Sequence, residues 1–136
     1  MRAILDTNIH VSALLTPASA PGLIVNAWLD DAFKLLISVE QLSEVRSTLR
    51  KPYFLQRVTR HEAGALINNL KKYAELVPSS PRVHRSPDPT DDFLLAMCSA
   101  GQADFLVTGD KHGLLSLGRH GRTKIVSATE FAALVR

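Results

Sequence analysis

Cysteine is nearly absent: Cys98 is the only one among 136 residues. No intramolecular disulfide and no Cys-x-x-Cys site can form, which suits a reducing cytoplasm. Cys98 itself reads as a small apolar residue on a buried helix face. Long apolar runs are missing too. None approaches the ~20 residues of a membrane span, and the first is broken at Asp6, so neither a membrane partner nor a secretory leader is expected. The chain lacks a Walker loop, a Gly-x-Gly-x-x-Gly fingerprint and a Gly-x-Ser-x-Gly elbow. P-loop nucleotide hydrolysis and serine hydrolase chemistry therefore have no support. Five histidines, His10, His61, His84, His112 and His120, are scattered without ligand spacing. His61-Glu62 would open a zinc-protease pattern only with histidine at position 65, which is Ala65.

What is present reads as one α/β domain over residues 1–136. An apolar content of 46% beside 21% charged residues is that of a soluble globular chain. Its length suffices to bury roughly two thirds of the unfolded surface. Ala3 to Leu5 suits a central parallel strand buried on both faces. After a turn, a helix is expected over residues 21–30, with Pro21 in the first turn and Leu23, Ala27 and Trp28 on one stripe. Residues 33–37 form the next strand. Ser38 then starts a helix, and Gln41 three residues on completes a capping-box pattern. Leu42, Val45 and Leu49 give that helix its apolar face, and Pro52 helps end it.

A further helix is expected over 59–73, with Ala63, Leu66, Ile67 and Leu70 at helical spacing, followed by a short strand at 75–77. Residues 78–89 hold four of the seven prolines and read as a loop. Beyond it come a helix at 91–100, a strand at 105–107, a strand at 125–126 and a helix at 128–135. Such β-α alternation argues for a parallel sheet covered by helices.

Four acids stand where different segments end or begin. Asp6 closes the first strand, Glu44 sits on the second helix, Asp91 opens the helix after the proline-rich loop, and Asp110 ends Val107-Thr108-Gly109-Asp110. In an α/β sheet the strand ends gather at one edge, where such folds bind ligands. Carboxylates collected there repel one another unless a divalent cation neutralises them. The pattern points to metal-dependent chemistry on phosphate. Each acid also has a local reading. Asp6 would cap the next helix, and Glu44 would face water. Asp110 would cap a turn over 111–115. Glu40 is explained by the helix dipole in its first turn. Among Asp88, Asp91 and Asp92 at least one is a cap. Asp91 and Asp92 project about 100° apart, so they need not share an ion. Gly109 is expected to permit a tight turn, Thr108 offers a hydroxyl, and Asn8 either orients Asp6 or satisfies the turn.

The formal charge is +3, from 16 basic and 13 acidic residues. Setting aside Asp6, Glu44, Asp91, Asp92 and Asp110 as a metal cluster leaves 8 acids against 16 bases. An acidic pocket in a basic surround suits a polyanion held by its phosphates. The plainer reading is solubility. Arg82, Arg85, Lys111 and Lys124 are candidate phosphate contacts on the first view and surface charge on the second.

Asp6-Thr7-Asn8 after an opening strand, Ser38-x5-Glu44, Asp88-Pro-Thr-Asp-Asp-Phe-Leu-Leu-Ala and Ala103-Asp-Phe-Leu-Val-Thr-Gly-Asp110 together resemble the PIN-domain family. The resemblance is to its VapC-like bacterial toxin branch and spans roughly residues 3 to 117, weakest from about 57 to 85. It implies a three-layer α/β/α sandwich with a central parallel sheet. It also implies a Mg²⁺- or Mn²⁺-dependent endoribonuclease in the cytoplasm. Asp6, Glu44, Asp91 and Asp110 match the family's acidic quartet, with Asp92 a second candidate beside Asp91. Asn8 and Thr108 match supporting positions. An RNA substrate, a cognate antitoxin protein and a homodimer or higher oligomer are the partners it implies.

The expected reaction is hydrolysis of an RNA phosphodiester, with a carboxylate outside the metal shell, Glu44 or Asp92, taking the water's proton. Two other classes remain open. A non-catalytic RNA- or protein-binding module would keep the scaffold without the metal. A phosphate-acceptor Asp6 would call for a second Asp at position 8, where the chain has Asn8.

Overall fold

Runs of apolar residues three or four long become parallel strands because both of their faces are covered. The computed structural model describes residues 1–78 and 84–136. Its elements are β1 (Arg2–Leu5), α1 (Thr7–Leu15), α2 (Ala20–Leu29), β2 (Lys34–Ile37), α3 (Val39–Leu49) and α4 (Pro52–Leu55). They continue with α5 (Arg60–Tyr73), β3 (Glu75–Leu76), a 3-10 turn (Pro89–Asp91), α6 (Asp92–Gly101) and β4 (Phe105–Val107). The chain ends with α7 (Leu114–Leu117), β5 (Arg119–His120), β6 (Thr123–Val126) and α8 (Ala128–Val135).

The strands form one sheet in the order β3-β2-β1-β4-β6-β5. All pairings are parallel except β5 with β6. β1 is central, with Ala3 opposite both Leu35 and Phe105 and with Leu5 opposite Val107. Alternate strand residues feed two apolar cores. Ala3, Leu5, Leu35, Ile37, Val107 and Val126 pack with residues of α1, α2, α3, α5 and α8. Ile4, Leu36, Leu106 and Ile125 pack with Phe93, Leu94, Met97 and Cys98 of α6 and with Leu114. The result is the expected α/β/α sandwich, and Cys98 is buried in it as expected.

The structure departs from the sequence reading in several details, among them short helices at Pro52–Leu55 and Leu114–Leu117. Residues 7–15 are a helix rather than a turn. Its buried residues, Thr7, Ile9, His10, Val11 and Ala13, do not gather on one stripe, so periodicity gives no sign of it. β5 adds an antiparallel edge strand of two residues, too short to read as an apolar run. The box at Ser38 is half formed. Ser38 Oγ accepts from the Gln41 amide at 3.0 Å, but the Gln41 side chain crosses to donate to the Leu5 carbonyl at 2.6 Å. Gln41 thereby ties α3 to the end of β1, one residue before Asp6. Full boxes form instead at Thr59 with Glu62 and at Ser127 with Glu130, which fix the starts of α5 and α8.

The order of the sheet decides where a ligand can enter. From β1 the chain moves first to β2 on one side and later to β4 on the other. Connections leave in opposite directions there, and a crevice opens beyond the strand ends. Asp6 and Thr108 are the first residues past β1 and β4.

Candidate active site

Asp6 stands at this switch point with only 7% of its surface exposed. Its amide donates to the Val107 carbonyl at 2.8 Å, so the sheet hydrogen bonding carries on into the residue that opens α1. The amides of Thr7 and Asn8 at the start of that helix favour the ionised carboxylate, though no full capping hydrogen bond is made. The carboxylate accepts from the hydroxyl of Thr108, which donates to Asp6 Oδ2 at 2.8 Å. The same hydroxyl oxygen accepts the Asp110 amide at 3.2 Å. Thr108, fully buried, therefore couples the ends of the two central strands. Burial pushes the Asp6 carboxyl above its usual range, and the charge of Asp110 adds to that rise. The Thr108 hydroxyl and the Asn8 and Thr7 amides oppose it.

Asp6, Asn8, Gly109 and Asp110 line one hollow of about 410 Å³, with Ile9, Ser12, Pro21 and Ala128 completing it. Asn8 and Asp110 are exposed there. Asp110 also closes its own turn, as the alternative reading held: Oδ1 accepts from the Gly113 amide at 2.9 Å. The closeness of that fold-back has a steric condition. A Cβ at position 113 would lie 1.9 Å from Asp110 Oδ2, so only glycine lets the carboxylate sit there. Gly109, expected to supply the freedom of this turn, has no positive φ and nothing within 4 Å of where its Cβ would be. The glycine that the turn needs is Gly113. Its signal, a glycine three residues after an Asp that ends a strand, was available in the sequence.

Glu44 and Asp91 do not line this hollow, yet both feel its charge. Glu44 is half-buried on α3, and its carboxyl is raised first by burial and then by the charges of Asp6 and Glu40. The buried hydroxyl of Thr7, without a formed hydrogen bond, and Lys51 favour its ionised form. The Asp91 carboxyl is pushed up to about 6, first by burial, then by the charges of Asp6, Asp88, Asp110 and Glu44. The charges of the other three members of the quartet thus all act on Asp91. Its neighbour does different work. Asp92 is buried, and its Oδ1 accepts from the backbone amides of Arg85 at 3.2 Å and Ser86 at 2.8 Å. Asp88 caps the turn through Thr90.

The candidate phosphate contacts are spread. Lys111 is exposed beside Asp110. The Arg85 guanidinium lies 2.8 Å from Nδ1 of His120, whose partner Thr123 begins β6. That is the sheet end opposite Thr108. Lys124 is exposed and pairs with Phe105 at the start of β4, also away from the crevice. Arg82 lies outside the described residues.

A hard divalent cation prefers oxygen donors, and the four carboxylates offer only those. Such an ion would also relieve the repulsion that raises Asp91. The donor chemistry fits. Among the described residues, however, no three Asp, Glu, His or Cys side chains are already gathered into a cage, and Asp110 is drawn to Gly113.

A three-layer sandwich with acids at the switch point of a mostly parallel sheet defines a class of α/β domains. Within that class the sequence matches the PIN domain model over residues 2–112, and the chain belongs to the PIN-domain family. The match covers Asp6, Glu44, Asp91, Thr108 and Asp110. Two solved structures share the fold. VapBC2 from Rickettsia felis, bound to a DNA fragment from its promoter, superposes with a TM-score of 0.62 at 15% identity, over 93% of this chain and 98% of that one. PAE2754 from Pyrobaculum aerophilum gives 0.64 at 15% identity, over 99% of this chain and 89% of that one. No curated protein matches the sequence.

Proposed function

We propose that the protein is a divalent-metal-dependent endoribonuclease and the toxin of a toxin–antitoxin pair. The observation that carries this reading is the Thr108 hydroxyl linking Asp6 to Asp110 at the switch-point crevice. Family membership supports the nuclease class. The fold shared with VapBC2 of Rickettsia felis, a complex on promoter DNA, supports an antitoxin partner.

In this reading Asp6, Asp91 and Asp110 of the quartet would hold Mg²⁺ or Mn²⁺, with Glu44 left outside the metal shell and Asp92 fixing the approach loop. The cation would supply a water of lowered pKa and offset the charge growing on the phosphate. The protein's own groups do the rest. Thr108 holds Asp6 in one orientation, so the carboxylate is set before substrate arrives. Glu44, half-buried and raised in pKa, accepts the proton of the attacking water more readily than Asp92, which is committed to two amides. Asn8 and Lys111 at the exposed rim of the crevice contact the RNA backbone. Water attacks phosphorus, the P–O bond to the leaving oxygen breaks, and that oxygen takes up a proton from solvent. A homodimer or higher oligomer in the cytoplasm completes the proposal.

The test is cleavage of a mixed structured RNA pool with Mn²⁺ or Mg²⁺, compared with EDTA and with Asp6→Asn. Metal-dependent cuts should fall by orders of magnitude in the variant, whose fold stays intact or becomes more stable as a buried charge is removed. Full activity in Asp6→Asn rejects the site. Absence of both cleavage and metal binding moves the assignment to a binding module.

A further inference from the structure

A second concave surface lies apart from the crevice, in a groove of about 660 Å³ between α3, α4 and α5. Its floor is aliphatic: Leu49, Leu55, Val58, Ala63 and Ile67. Its rim carries Arg46, Arg50, Arg60 and Lys71, and no acidic residue lines it. None of the four cations makes an ion pair or side-chain hydrogen bond with another described residue. Leu55 is 63% exposed there, which is costly for a large aliphatic side chain without a partner. On α3 the groove and the crevice face opposite ways, since Glu44 and Arg46 are two positions and about 200° apart.

Three occupants can be compared by chemistry. Single-stranded RNA would meet the cationic rim with its phosphates, but no aromatic residue lines this groove to stack its bases, and the aliphatic floor would stay uncovered. A second copy of the groove would bring four more cations against the first four. An amphipathic helix with an aliphatic stripe and flanking carboxylates satisfies both floor and rim. We propose that this groove docks an acidic amphipathic helix of a partner protein. Apolar side chains of that helix cover Leu49, Leu55 and Ile67, while its Asp and Glu pair with Arg46, Arg50, Arg60 and Lys71. The site is independent of the carboxylates that the nuclease reading uses.

Gly64 makes the proposal testable. It is exposed on α5, lines the groove, and a Cβ there would meet nothing within 4 Å. Gly64→Trp therefore fills the groove without crowding the core. The probe is a labelled helical peptide with leucines at i, i+3, i+4 and i+7 and glutamates on both flanks, titrated by anisotropy into the full chain in EDTA. Binding should weaken as salt rises. It should weaken about tenfold or more in Arg46→Glu/Arg60→Glu, and be lost in Gly64→Trp while that variant melts as the parent does. The same peptide with lysines for glutamates should not bind. No binding of the acidic peptide, equal binding of the lysine peptide, or binding unchanged in Gly64→Trp would overturn the proposal. Displacement of the peptide by single-stranded RNA, with direct RNA binding lost in Gly64→Trp, would overturn it in favour of nucleic acid.

Discussion

The proton on Asp91 is stabilised by burial and by four neighbouring acids. Its carboxyl starts from 3.8 and reaches about 6 in the folded protein. A carboxyl raised on folding binds its proton more tightly in the native state. Its contribution to stability is present below the unfolded value and is lost as pH climbs through the folded one. Asp6 and Glu44 are raised as well and add with the same sign. In EDTA, the melting temperature should therefore fall as pH rises from about 4 to about 6. Asp91→Asn should flatten that fall and raise the melting temperature at neutral pH, by less than full linkage because Asp91 is only half-buried. An unaltered slope in the variant would mean that Asp91 does not feel the other acids. Asp92, one position away, has a different role: its Oδ1 accepts from two backbone amides, so its removal should cost fold rather than metal affinity.

At the scale of elements, the turn from Asp110 to Gly113 is the part of the site most sensitive to one atom. Gly113→Ala places a methyl against Asp110 Oδ2 and must push the carboxylate out. A displacement near 1 Å costs on the order of 100-fold in rate, so RNA cleavage should drop by about tenfold to 100-fold while far-UV CD is unchanged. Gly109→Ala should be mild by comparison. The strands, the long helices and the acids at their ends are legible in the sequence, because apolar spacing and capping residues are local signals. The box at Thr59 and the helix it starts show this. What is not legible depends on distant neighbours. α1 has no apolar stripe because the sheet, α2 and α3 surround it. Gln41 has the spacing of a capping partner, yet its side chain goes to Leu5, a contact between residues 36 positions apart. Asp91 and Asp92 are alike in sequence, and only the path of the loop at Arg85 and Ser86 separates them.

For the whole molecule, the charge left uncompensated in the crevice predicts how the fold responds to metal. A cation that binds only the native state at a hundred times its Kd contributes about 2.7 kcal/mol, on the order of 10 °C in melting temperature. Mn²⁺ should give a shift of that order near neutral pH and a smaller one at pH about 5, where protons compete for the same carboxylates. No shift in calorimetry would remove the metal from the proposal. The Thr108–Asp6 hydrogen bond spans 102 positions of sequence, and this separation has a consequence for synthesis. Asp6 leaves the ribosome 102 residues ahead of the hydroxyl that orients it, which is made only after most of the domain. A growing chain, or any fragment ending before residue 108, carries the first carboxylate without the rest of the site. In the proposed reading, the cell meets the nuclease only as a nearly finished fold.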